Sequence, residues 1–233
     1  MPRPIEVTTE DGLRLSGVYC PGNAEAAVPK PKRGAVFLHM MPATKESWTD
    51  FKAHLVSGGV SALALDLRGH GQSFAGADGR RLDYRLFGDA EHGRKALDVA
   101  AAVERLSAEA GIPKGNIALI GASIGANLAI AYAAGNPEIP VTVALSPGLD
   151  YHGLTTEDKV RALAPGQCLY LAASAGDEES FRAVARLREI RPEAVVREFP
   201  GRSHGTDIFR DHPDFMVELA AWILDRLPET GRA

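Results

Sequence analysis

Asn116-Ile117-Ala118-Leu119-Ile120-Gly121-Ala122-Ser123-Ile124-Gly125-Ala126 is the stretch around which the chain is organised. An apolar run short enough for a buried strand enters a Gly-x-Ser-x-Gly turn, and an alanine-rich stretch of helical character, 124–134, leaves it. A turn of this kind must be sharp enough to lift the serine hydroxyl above the sheet edge. Glycine at 121 and 125 lets the strand and helix backbones pass closely on either side, where a bulkier residue would collide. The five-residue pattern is common by itself; its weight comes from its flanks and from what lies downstream.

Upstream, residues 6–9 and 13–19 alternate apolar and polar about Glu10-Asp11-Gly12 and predict an antiparallel hairpin with Asp-Gly at its turn. Residues 20–32, rich in proline, alanine and lysine, predict an exposed loop. Residues 34–39 form a short apolar strand. A helix is expected over 47–57, with Ser47 as N-cap and Gly58-Gly59 as its stop. A further buried strand, 60–67, ends in Asp66-Leu67-Arg68-Gly69-His70-Gly71-Gln72-Ser73, and 89–110 reads as one long amphipathic helix closed by Gly111. Downstream, strands at 141–145, 167–173 and 194–199 alternate with helices at 156–163, 178–190 and 213–227. That spacing implies an α/β fold with a mostly parallel, eight-stranded sheet, an antiparallel start and helices on both faces. In such sheets the reactive end is the carboxyl end of the strands. His39, Met41, Asp66, Arg68, Ser123, Asp150, Asp177 and His204 all fall there.

Composition narrows the partner. The 233 residues, 45% of them hydrophobic, suffice for a full core, and with no internal linker the chain reads as a single domain over 1–233. A formal charge of −4, without a basic block and with little aromatic interleaving, argues against nucleic acid or an anionic membrane as the partner and favours a small molecule. The two cysteines, Cys20 and Cys168, stand in no metal or redox spacing, so both are expected to pack as small hydrophobes. His54, His92, His152 and His212 make no metal-ligand pattern, and there is no phosphate-binding glycine loop, so neither metal nor cofactor is expected. No apolar leader and no run of 18 apolar residues occurs, which sets the expectation of a cytoplasmic protein without a membrane span.

A serine hydroxyl needs a base within hydrogen-bond reach, and the base needs a group that fixes its tautomer. His204, in Gly201-Arg202-Ser203-His204-Gly205, lies between the last strand and the last helix and is the candidate base; a surface histidine is the alternative. Asp177, in Ala175-Gly176-Asp177-Glu178, is the candidate acid, against the alternatives of an N-cap for the following helix and of Asp150 in its place. Acyl transfer also requires donors aimed at a developing oxyanion. The backbone N–H of Ile124, at the start of a helix, and that of Met41, in the turn after the earlier strand, are the candidates. Met40, Met41, Tyr151 and His152 are candidates for the substrate pocket, with core filling an equal reading for the two methionines. Arg68 is expected to pair with a carboxylate and His70 to bond neighbouring backbone.

Taken in order, Leu38-His39-Met40-Met41, Asp66 to Ser73, Gly121 to Gly125, Ala175-Gly176-Asp177 and Ser203-His204-Gly205 resemble the α/β hydrolase superfamily. Within it, the chain is similar to the compact esterase and dienelactone-hydrolase-like branch, over residues 5–227. The resemblance implies an α/β hydrolase fold and a Ser123, Asp177, His204 enzyme working through an acyl-enzyme, with 66–73 as a structural turn. Many members carry His-Gly where this chain has His39-Met40, and the serine departs from the cysteine nucleophile of true dienelactone hydrolases. Only about twenty residues separate Leu145 from Gln167, too few for a large lid, so a small, short-acyl ester is the expected substrate. A thioesterase, amidase or acyltransferase would use the same triad, and a catalytically weak ligand-binding protein is the non-enzymatic alternative. The oligomeric state is left open.

Overall fold

The computed structural model describes residues 1–22, 32–76 and 78–228. Residues 23–31 of the expected loop therefore lie outside the described residues. In chain order the strands are β1 (Arg3–Thr8), β2 (Arg14–Cys20), β3 (Arg33–Leu38), β4 (Val60–Leu65), β5 (Ile117–Ala122), β6 (Val141–Leu145), β7 (Asp150–Tyr151), β8 (Leu154–Thr155), β9 (Cys168–Ser174) and β10 (Val195–Phe199). The helices are α1 (Thr49–Ser57), α2 (Asp89–Gly93), α3 (Lys95–Ala110), α4 (Ile124–Gly135), α5 (Glu157–Ala162), α6 (Glu178–Ile190), α7 (Asp207–Asp211) and α8 (Asp214–Arg226). Eight strands form one sheet in the order β1-β2-β4-β3-β5-β6-β9-β10, and β7 and β8 pair separately. β1 with β2 and β2 with β4 are antiparallel; every other pair of the large sheet is parallel.

Side-chain alternation assigns the helices to faces. Val36, Leu38, Leu63, Leu65, Ile117 and Leu119 point to the side covered by α3, α4, α5 and α6. Their neighbours Ala35, Phe37, Ala62, Ala64, Ala118 and Ile120 point to the side covered by α1, α7 and α8. The central strands are buried on both faces, hence their unbroken apolar runs.

Several local expectations are corrected. The first hairpin closes at Thr8 opposite Arg14, and its turn is a five-residue loop in which Thr9 Oγ1 accepts the Leu13 N–H at 2.9 Å. Ser47 does not cap α1: its hydroxyl donates back to the Thr44 carbonyl at 2.9 Å, and residues 45–48 wind as a 3₁₀ turn before α1. The long helix at 89–110 is two helices, α2 and α3, interrupted at Arg94. The periodic pattern continues through that residue and so does not register the break. The short helix α7 and the β7–β8 hairpin have no counterpart in the sequence pattern, because elements this short carry no periodic signal. Both cysteines are free, Cys20 buried and Cys168 partly so.

Register brings the functional ends level. Leu38 pairs with Gly121, Ala122 with Leu145, Leu145 with Ala172, and Ser174 with Phe199. The loops after β3, β5, β6, β9 and β10 therefore leave the sheet along one rim. Among the described residues no helix is long and apolar enough to cross a membrane.

Candidate active site

Ser123 occupies the turn between β5 and α4 at φ 54, ψ −123. A positive φ on a residue with a side chain costs on the order of 1–3 kcal/mol and persists only where the surroundings impose it. Here the serine N–H donates to Leu145 O at 2.8 Å, and its carbonyl accepts from Ala126 N at 2.8 Å and Asn127 N at 3.2 Å. A Cβ on Gly121 would overlap the Gly125 carbonyl, and one on Gly125 would overlap the carbonyl of Leu38. The two glycines thus permit the crossing that holds the turn.

Asp177 and His204 are brought together by the loops after β9 and β10, with Asp177 Oδ2 2.7 Å from His204 Nδ1. Asp177 stands at the N-cap position of α6, yet its side chain makes no capping bond. Its carboxylate is committed to the imidazole instead. Burial pushes the Asp177 carboxyl up, but hydrogen bonds from His204, Ser180 and Ser146 outweigh it and hold the group below its usual range. Asp150, the alternative acid, accepts the Gly153 N–H at 2.7 Å within its own hairpin.

Ser146, which the sequence did not single out, links these parts. It follows β6 at φ 49, is fully buried, and its hydroxyl accepts the Gly205 N–H at 2.9 Å while helping to hold the Asp177 carboxyl low. Gly205 in turn packs on the elbow: a Cβ there would lie 3.2 Å from Ala122 Cβ and 2.6 Å from Met40 Sδ. The residue after His204 therefore touches the residue before Ser123. His204 keeps 35% of its side chain exposed against 14% for Asp177, which leaves the imidazole accessible and the carboxylate largely covered.

The turn after β3 is held by His39. Its Nε2 accepts the Leu67 N–H at 2.9 Å, which makes Nδ1 the protonated nitrogen, 2.8 Å from the Met40 carbonyl. Burial pushes this imidazole down to about 4, so it stays neutral. Among the described residues the N–H groups of Met41 and Ile124 donate to no protein acceptor. Met40 packs through sulfur against Gly205 and Thr206.

The β7–β8 hairpin lies beside the serine. Tyr151 bonds through its hydroxyl to Ser180 Oγ at 3.1 Å, Ser123 acts on that hydroxyl to favour its ionised form, and its ring rests on Gly148. Asn127 anchors the hairpin, donating to Leu154 O at 2.7 Å and accepting from Gly148 N at 3.0 Å. His152 is instead stacked on His92 with centroids 4.1 Å apart and has Asp89 3.9 Å from its Nδ1.

The turn 66–73 is internally bonded. Asp66 accepts from Lys45 N at 2.9 Å, Lys45 Nζ at 2.6 Å and Gln72 N at 2.9 Å. Arg68 pairs with Asp98 and Asp11, and His70 Nδ1 lies 3.0 Å from the Arg68 carbonyl.

The fold is shared with several solved structures. The esterase Pf2001 of Pyrococcus furiosus superposes with a TM-score of 0.76 at 20% identity, over 98% of this chain and 92% of that one. The α/β hydrolase GrgF of a Penicillium species gives 0.76 at 14% identity over 97% and 99%. Dienelactone hydrolase of Anabaena variabilis gives 0.70 at 18% identity over 97% and 96%. In sequence, the uncharacterized protein Rv2307c of Mycobacterium tuberculosis is 32% identical over 136 residues, 58% of this chain. That match spans 42% of Rv2307c, less than half the length of this curated relative. A family model described as alpha/beta hydrolase fold matches residues 36–166, more than half of the chain. With the turn after β3, the elbow at Ser123 and the β6 end all inside that stretch, the chain belongs to the alpha/beta hydrolase fold family.

Proposed function

We propose that this chain is a serine hydrolase, one domain in extent, that cleaves a small, short-acyl ester through an acyl-enzyme. The observation that carries the reading is the convergence at one sheet rim of a strained serine with a hydrogen-bonded imidazole–carboxylate pair, joined to it through Gly205 and Ser146.

In this reading His204 Nε2 takes the Ser123 proton as Oγ attacks the ester carbonyl, and Asp177 holds Nδ1–H and stabilises the imidazolium that forms. The tetrahedral oxyanion accepts from the N–H groups of Ile124 and Met41, the former at the positive end of α4. Collapse breaks the carbon–oxygen bond to the alcohol, which leaves with the proton from His204. Water then attacks the acyl-enzyme by the same route in reverse. Residues 146–167 supply a two-stranded hairpin and the six-residue helix α5 as cover, which supports an open site and a short acyl group.

The test is covalent labelling. A fluorophosphonate should give one adduct, on Ser123, lost in Ser123→Ala and formed at least about 100-fold more slowly in His204→Ala, alongside turnover of short p-nitrophenyl esters. A wild-type protein that forms no adduct and turns over no ester overturns the assignment.

A further inference from the structure

Lys95 opens α3 and is fully buried. Its Nζ lies 3.0 Å from His92 Nδ1, 3.6 Å from Met41 Sδ and 5.9 Å from the centre of the Phe87 ring. No carboxylate pairs with it among the described residues. The nearest acid along its own helix, Asp98, has both oxygens taken by Arg68, whose side chain bonds Oδ1 at 2.8 Å and whose backbone N–H bonds Oδ2 at 2.9 Å. A buried ammonium without a carboxylate partner is costly.

The surroundings are arranged about a cation. His39, from the end of β3, and His70, from the turn after β4, are both pushed down, to about 4 and about 3; burial is the main cause and the Lys95 charge adds to it. His92 is likewise held at about 4 by burial and then by Lys95. One neutral imidazole, His92, therefore touches the amine, and two more, His39 and His70, stand within reach of its charge; His39 bonds the Met40 carbonyl. The other charges acting on this cluster are Arg68, shared between Asp98 and Asp11, with Arg94 also on Asp11; Lys45 and Glu46, which act on His39; Asp66, paired with Lys45, which acts on His70; and Asp89, 3.9 Å from His152, which stacks on His92.

We propose that the Lys95 ammonium, sealed against Met41 beneath the turn after β3, supports the developing oxyanion at that turn, making Lys95 a positioning residue that acts through Met41. This rests on the serine-hydrolase reading above. The contact with Met41 is through its thioether sulfur, and a positive charge held against the residue that carries the donor N–H, where water does not screen it, adds to the field that favours an oxyanion there. Burial, offset in part by Asp98 and reinforced by Arg68, holds this amine down to about 7. The support should be present below neutrality and fade above it, bending kcat/KM, which reports the free enzyme, downward on the alkaline side.

Two measurements on the full chain test this. In ester hydrolysis, normalised to serine titrated by fluorophosphonate, Lys95→Met should lower kcat at pH 6 about 30-fold with KM changed less than about threefold, and should abolish the alkaline bend; Lys95→Arg should keep the rate and push the bend beyond pH 9. In parallel, the lysine 13Cε resonance absent from Lys95→Met should titrate near pH 7 in the free wild type, and at least about one pH unit higher when a boronic acid forms its anionic adduct on Ser123. A wild-type bend that persists unchanged in Lys95→Met, or a Lys95 midpoint that the boronate adduct leaves in place, overturns the role of Lys95 alone. No adduct and no turnover overturns the hydrolase reading and this role together.

Discussion

The carboxylate of Asp177 lies 2.7 Å from His204 Nδ1 while the helix it caps receives no bond from it. An aspartate serving only as a cap would face the N–H groups of α6. Replacing it by Asn keeps the shape but removes the charge and permits the wrong imidazole tautomer. Asp177→Asn should lower kcat by about 10³–10⁴ with little change in KM. Steady-state kinetics on a p-nitrophenyl ester check this, and a loss below tenfold would remove Asp177 from the triad.

Gly125 meets the Leu38 carbonyl and Gly121 meets Gly125 at the crossing under the serine. Neither contact is with a flexible side-chain end, so the backbone itself would have to move. Gly125→Ala should cost more than about 2 kcal/mol of stability and abolish labelling of Ser123. Denaturant unfolding beside the labelling rate separates the two effects.

Arg68 and Asp98 are both essentially buried, at 2% and 0% exposure, whereas Arg182 and Glu178 on α6 are 74% and 78% exposed. Removing one member of the buried pair strands its partner. Asp98→Asn should cost about 3–5 kcal/mol, and Glu178→Gln under about 0.5 kcal/mol. Urea midpoints for the two variants give the comparison directly; similar values would show that Asp11 alone suffices to hold Arg68.

Lys95 and the imidazoles beside it set the pH profile of stability. The buried amine is held at about 7, below the usual 10.5, by burial, which Asp98 offsets in part and Arg68 reinforces. The unfolded chain therefore binds that proton first, and stability is lost as pH falls from about 10.5 to about 7, then levels. His39 and His92, pushed down mainly by burial from 6.5 to about 4, take stability away again as pH falls through that interval. The stability gap between wild type and Lys95→Met should change by up to about 1.4 kcal/mol per pH unit between pH 7 and 10. A gap independent of pH in that range would contradict the buried-amine assignment.

Lys95 also illustrates what was readable in advance. It stands four residues before Val99 and in phase with Ala102 and Leu106, on the apolar face of α3. A lysine in that phase was a visible signal, but the pattern reads equally as a long side chain reaching solvent past the helix edge. Ser146 and Asn127 gave no comparable sign: each is an ordinary polar residue beside an apolar run, and its partner is 59 or 21 positions away.

The sequence by itself determined the elements of the sheet, because apolar runs, alternation and glycine stops are local and strong, and it determined the Gly-Ser-Gly crossing, because only those residue types tolerate it. It also placed Ser123, Asp177 and His204 each at a strand's carboxyl end. Tertiary structure alone decided what those ends do to one another. The register that levels β3, β5, β6, β9 and β10 sets Asp177 on His204 rather than on its helix, seats Gly205 against Ala122, and closes Lys95 under Met41. Such contacts join residues tens of positions apart, and their energies depend on burial and on who else shares the space, neither of which is written in any local window of the chain.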